Sequence, residues 1–158
     1  MSMKNLPKLI VSIIVCELVG ILSTPFTLAA IPTWYSTLVK PPFSPPNWIF
    51  GPVWTLLYLM MGVSFYCIWQ LGWKKKKVRV AGYYFGAQLA LNFLWSIAFF
   101  GSRSPILGLV TIIALLTLII LTMKHFYPLS KVAFYLLAPY LLWVTFATIL
   151  NGAIVVLN

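Results

Sequence analysis

The stretch WYSTLVKPPFSPPNWIFGPVWTLLYLMMG, residues 34–62, decides the reading of this chain. Between Lys40 and Pro52 it holds five prolines and one glycine. Proline fixes φ and has no N–H to donate, so this segment is expected to be a shaped loop and not a helix interior. Directly after it come Trp54, Tyr58, Met61 and Phe65 at steps of four, three and four, which lays an aromatic stripe along one face of a helix. A stiff cap above an aromatic wall predicts a pocket. The plainer alternative is a span started by Pro-Pro, with its tryptophans in an interfacial belt.

The rest of the chain sets the solvent. Of 158 residues, 62% are hydrophobic and 8% charged, and Glu17 is the single acid. A soluble domain needs a charged surface that this composition cannot supply, so lipid is the solvent. Apolar runs of about 20 residues, enough to cross a hydrocarbon core of about 30 Å, fall at 9–30, 47–71, 80–101, 105–123 and 132–157, with the Pro-rich loop at 31–46. The expected fold is therefore all-α: one domain over 1–158, an integral membrane bundle of five transmembrane helices. The short loops should make consecutive helices antiparallel neighbours. Lys4 and Lys8 before an apolar run also resemble the start of a signal peptide, but that run is too long and no small-x-small site leads into a soluble chain.

Basic residues set the orientation. Lys4 and Lys8, then Lys74 to Lys77 with Arg79, then Lys124 and Lys131 share one side, against Lys40 and Arg103 on the other. The positive-inside rule puts the N-terminus in the cytoplasm and the C-terminus and Pro-rich loop outside a bacterial cell membrane. The net charge of +10 does not imply nucleic acid, because the lysine run abuts a span where anionic headgroups attract it. Cys16 and Cys67 lie inside predicted helices and His125 in a loop, so no metal site is expected.

Polar residues inside the spans carry the functional reading. Glu17 is costly in a membrane and must find a polar interior, as part of a path or as a hydrogen bond to another helix. Gly82, Gly86 and Ala90 form a small-xxx-small ridge suited to helix contact, within the bundle or in a homodimer. Gln88, Asn92, Trp95, Ser96 and Phe99 form a second face of that helix. Interhelical hydrogen bonding alone accounts for Gln88, while Asn92, Trp95 and Ser96 are placed to share the cavity with Trp54. In the last span Trp143, Ala147 and Asn151 fall on one face, leaving room for a flat ligand against an indole. Pro139 frees the carbonyl of Tyr135 and kinks that span.

Three motifs, WYSTLVKPPFSPPNWIFGPVW (34–54), QLALNFLWSIAFFG (88–101) and PYLLWVTFATILN (139–151), resemble those of the TspO family, the tryptophan-rich sensory proteins of bacteria and the translocator protein of mitochondria. The resemblance covers nearly the whole chain. It implies a five-helix bundle, usually dimeric, with a cavity beneath the first loop that binds porphyrins such as protoporphyrin IX and needs no cofactor. Tyr35 of the loop, Trp54, Tyr58, Asn92, Trp95, Ser96, Trp143, Ala147 and Asn151 would line it. Some relatives degrade bound protoporphyrin in light, which the resemblance assigns to Trp54 and Trp143; there is no hydrolytic or acid–base constellation in the chain. The mitochondrial cholesterol pattern is missing after Leu150 and Asn151, so steroid transport is not expected.

Overall fold

Apolar side chains in lipid gain nothing from facing inward, so what shapes this bundle is close packing and the need to pair every backbone polar group. A computed structural model describes residues 5–158; Lys4, counted above, lies outside them. Five spans result: Leu6–Tyr35, Asn47–Trp69, Lys76–Gly101, Pro105–Phe126 and Lys131–Leu157. Their helices are α1 (Leu6–Ala30), α2 (Asn47–Trp69), α3 (Lys76–Ser96), α4 (Pro105–Phe126), α5 (Lys131–Leu136) and α6 (Ala138–Leu157).

Three departures from the expected spans have a local reason. The first span does not stop at residue 30. Pro32 has no N–H for the carbonyl four residues back, and the backbone takes up the slack as a π-turn, Ile31–Tyr35. The loop therefore shrinks from 31–46 to 38–46, and Tyr35 sits on a helix end instead of in the loop. A second π-turn, Ile97–Gly101, ends the third span. The fourth span runs on to Phe126, so His125 is helical. It stacks on Tyr84 with centroids 4.3 Å apart, and its Nδ1 lies 2.8 Å from the Leu121 carbonyl. The fifth span is broken at Leu137, two residues before Pro139, and Ser64 on α2 braces the break by donating to the Ala133 carbonyl at 2.7 Å.

Around the ring the spans run first, second, fifth, fourth, third, and α2 meets α3 only lightly. The expectation that all consecutive helices are neighbours thus fails for the second and third. The tightest crossing is that of α1 with α2, where a Cβ on Gly62 would lie 2.6 Å from the Ile13 Cα. Glycine here lets two backbones touch. One turn further along, Gly20 lies under the Tyr58 ring. Beyond that point α1 and α2 part, and the gap is the cavity described below.

The ridge on α3 is divided. Gly82 is covered by the Trp73 indole of the same chain, so it is not open to another backbone. Gly86 and Ala90 are exposed, and a Cβ on Gly86 would meet nothing.

Candidate ligand-binding cavity

Four helices each turn one i, i+3, i+4, i+7 stripe toward a common space of about 380 Å³. From α2 come Asn47, Trp48, Gly51, Trp54, Thr55 and Tyr58; from α3 Asn92, Trp95 and Ser96, continued by Phe99; from α6 Ala147, Leu150, Asn151 and Ile154. The first span adds Glu17, Gly20, Ser23, Thr24 and Thr27, with Ile31 and Tyr35 at its end. Eight of the nine residues expected to line a cavity are thereby brought together: Tyr35, Trp54, Tyr58, Asn92, Trp95, Ser96, Ala147 and Asn151.

Trp143 is the exception. It lies in a separate apolar groove between α2 and α6, with Val53, Leu56 and Phe146, its ring 6.0 Å from Phe50. The reason is its neighbour Tyr140, which is fully buried and packs edge to face on Trp54 at 6.3 Å. Tyr140 holds the interior place beside Trp54, and Trp143 is displaced to the far side of α2. The stripe through Trp54 is likewise shared, because Met61 belongs to the core.

The inner wall is fixed by a chain of hydrogen bonds. Tyr58 donates to Asn92 Oδ1; Asn92 Nδ2 donates to the Tyr140 hydroxyl at 2.9 Å; Tyr140 donates to Gln88 Oε1 at 2.9 Å. Both amides are buried, so the network orients the two tyrosine rings and pairs both ends of Asn92, while Gln88 Nε2 finds no partner among the described residues. Gln88 thus has the interhelical role anticipated for it. Asn151 is turned away from the cavity: its Nδ2 donates to the Pro105 carbonyl at 2.8 Å and its Oδ1 faces Gly108. The Trp95 indole N–H is buried and unpartnered, while its ring stacks on Phe99 at 5.5 Å.

Loop 38–46 does not line the cavity; the closing surface is the π-turn of the first span and the first turns of α2. The loop is instead pinned from above. Leu38 joins the Tyr35–Phe99 cluster, Phe43 meets Phe146 at 6.4 Å, and Lys40 Nζ sits 4.8 Å over the Tyr35 ring. The Asn158 side chain grips Val39 through both its backbone groups, each at 3.0 Å. Asn158→Ala is expected to raise the exchange rate of the Val39 amide about tenfold while leaving core amides on α2 unchanged; hydrogen exchange by mass spectrometry checks it.

One side of the cavity is open. Its rim between α1 and α2 consists of exposed residues, among them Ile21 (62%), Leu28 (64%) and Trp48 (73%), which places the opening on the lipid-facing surface. Sequence reasoning missed this rim, together with Tyr140 and Asn158. The spacing Glu17, Gly20, Thr24, Thr27, Ile31 was the available signal for the α1 wall.

Comparison with known proteins agrees with this architecture. A profile of the TspO/MBR family matches residues 12–157. The chain is 47% identical over 155 residues to the tryptophan-rich protein TspO of Archaeoglobus fulgidus, covering 98% of this chain and 99% of that protein. It is 42% identical over 120 residues to the translocator protein of Homo sapiens (75% and 70% covered) and 35% identical over 125 residues to the tryptophan-rich sensory protein of Cereibacter sphaeroides (79% and 77% covered). With five spans and a match along nearly its full length, this integral membrane protein belongs to the TspO/MBR family.

Proposed function

We propose that the protein is a membrane receptor or carrier that binds a flat tetrapyrrole such as protoporphyrin IX in the cavity between α1, α2, α3 and α6. The observation that carries this reading is the convergence of Trp54, Tyr58 and Trp95 from two helices on one space bounded on a third side by the small residue Ala147. Flat rings offer a macrocycle large contact area at little entropic cost. The propionates of such a ligand stay at the Tyr35 end of the cavity, toward Lys40 over the Tyr35 ring. The names of the relatives, a sensory protein and a translocator, agree with a binding role.

The test is a protoporphyrin IX titration in detergent. Ala147→Trp, which fills the space, is expected to weaken binding by at least about tenfold, and Trp54→Leu by about tenfold. Trp143→Phe should stay within about twofold of wild type. Equal affinity in wild type and the Ala147→Trp protein would place the ligand elsewhere. If the bound porphyrin is also degraded in light, Trp54, whose ring lies 5.6 Å from Tyr58 and 6.3 Å from Tyr140, is the indole to which that chemistry belongs; loss of the Soret band faster than in detergent alone is the readout.

Two further expectations belong to the same reading. Lys8, Lys74 to Lys77, Arg79, Lys124 and Lys131 favour a cytoplasmic Lys-rich end, with the Pro-rich loop and C-terminus outside. The open strip at Gly86 and Ala90 favours a homodimer through α3, which Gly86→Leu would dissociate on cross-linking in membranes.

A further inference from the structure

We propose that the floor of the cavity is a site for an organic cation, a flat aromatic amine held in its protonated form, with Glu17 as the counter-ion. The proposal rests on the cavity alone and stands whether or not the protein also takes a tetrapyrrole, which would compete for the same Trp54 and Tyr58 rings.

Glu17 is the single acid of the chain, and it lines the cavity near Gly20 and the Tyr58 ring that Gly20 supports. Among the described residues, no hydrogen bond or ion pair reaches its carboxyl, and no Lys, Arg or His lines the cavity. The hydroxyls nearest to it in sequence are already committed: Ser12 donates to the Lys8 carbonyl at 2.6 Å, and Ser23 and Thr24 both donate to the Gly20 carbonyl at 2.9 Å. Lys40 cannot neutralise the floor: Tyr35, beneath it, lies 18 residues further along the span, roughly 27 Å at the helical rise. A carboxyl inside a span is kept at a cost and calls for a partner, and in this cavity that partner must arrive with the ligand.

The walls above Glu17 suit the same class of ligand. Trp54 and Tyr58 both line the cavity, with ring centroids 5.6 Å apart and planes tilted by 32°, and an aromatic face attracts a cation once water is excluded. Tyr58 is held in that orientation by Asn92 and by contact with Gly20. A carboxylate beneath aromatic faces is the general chemistry of organic-ammonium recognition, and the low local dielectric strengthens both terms. A neutral flat ligand gains the stacking but leaves Glu17 unpaired.

The experiment compares two probes of one shape. 9-Aminoacridine is cationic at neutral pH and acridine is neutral, and each is titrated calorimetrically into protein in an uncharged detergent. Wild type is expected to bind 9-aminoacridine about tenfold or more tightly than acridine, whereas Glu17→Gln should bind the two alike, with acridine affinity kept as proof of an intact cavity. Equal binding of the two probes by wild type, no binding of 9-aminoacridine, or an undiminished preference in Glu17→Gln overturns the proposal. Should Glu17→Gln fail to fold, labelling of wild-type Glu17 by a hydrophobic carbodiimide, read by peptide mass, serves instead. 9-Aminoacridine should suppress the labelling and acridine should not; suppression by both or by neither overturns it.

Discussion

Asn92→Leu is expected to destabilise the bundle by about 1–3 kcal/mol and to weaken every ligand of the cavity, although the substitution puts an apolar group into a membrane. Asn92 is the centre of the buried chain, accepting from Tyr58 and donating to Tyr140, which in turn donates to Gln88. Leucine leaves the Tyr58 hydroxyl without its acceptor and frees the ring that forms the inner wall. The prediction separates from a simple packing defect in a double-mutant cycle. Tyr140→Phe alone should cost about 1–2 kcal/mol, since Gln88, whose Nε2 already lacks a partner, then loses its one bond as well. The two substitutions together should cost less than their sum by at least about 0.5 kcal/mol. Reversible unfolding in mixed micelles gives these values, and strict additivity would mean that the four side chains do not act as a unit.

The second large effect is steric. Gly62→Val should cost about 3 kcal/mol or more, because its Cβ would press on the Ile13 Cα at 2.6 Å and the Ile13 N at 3.0 Å, and backbone atoms cannot swing aside. Gly152→Val is the control: the nearest atom to its Cβ is a Leu109 methyl at 3.9 Å, so a change within about 1 kcal/mol is expected. Since α1 and α2 cross at Gly62 and part beyond it, the valine should also widen the gap between them. Cysteines placed at Thr24 and Thr55 on the rim would report this as slower cross-linking by a short reagent. A melting temperature for Gly62→Val equal to that of wild type would contradict the packing described.

The five spans were legible because length and hydropathy decide them, and three of the four cavity stripes were legible in part because residues three and four apart share a face whatever the tertiary structure. What periodicity gives is an angle around a helix axis. It does not say which neighbour that face meets. Trp143 has a suitable angle, yet Tyr140 takes the place beside Trp54 and Trp143 lands in another groove. Asn151 lines the cavity as expected, but its amide is turned to the Pro105 carbonyl. The first span outran its expected end because a proline in lipid can be absorbed by a π-turn when Thr33, Ser36 and Thr37 hydroxyls bond to nearby carbonyls. The grip of Asn158 on Val39 joins residues 119 apart, a separation at which no local pattern exists.

The gap between α1 and α2 has a consequence for every binding measurement on this protein. With Ile21, Leu28 and Trp48 at its edge, the slot is closed on its open side by the host amphiphile. Detergent tails and acyl chains are then rival occupants at very high local concentration. Apparent dissociation constants will scale with the type and excess of surfactant, and values from micelles and from nanodiscs will differ for the same polypeptide.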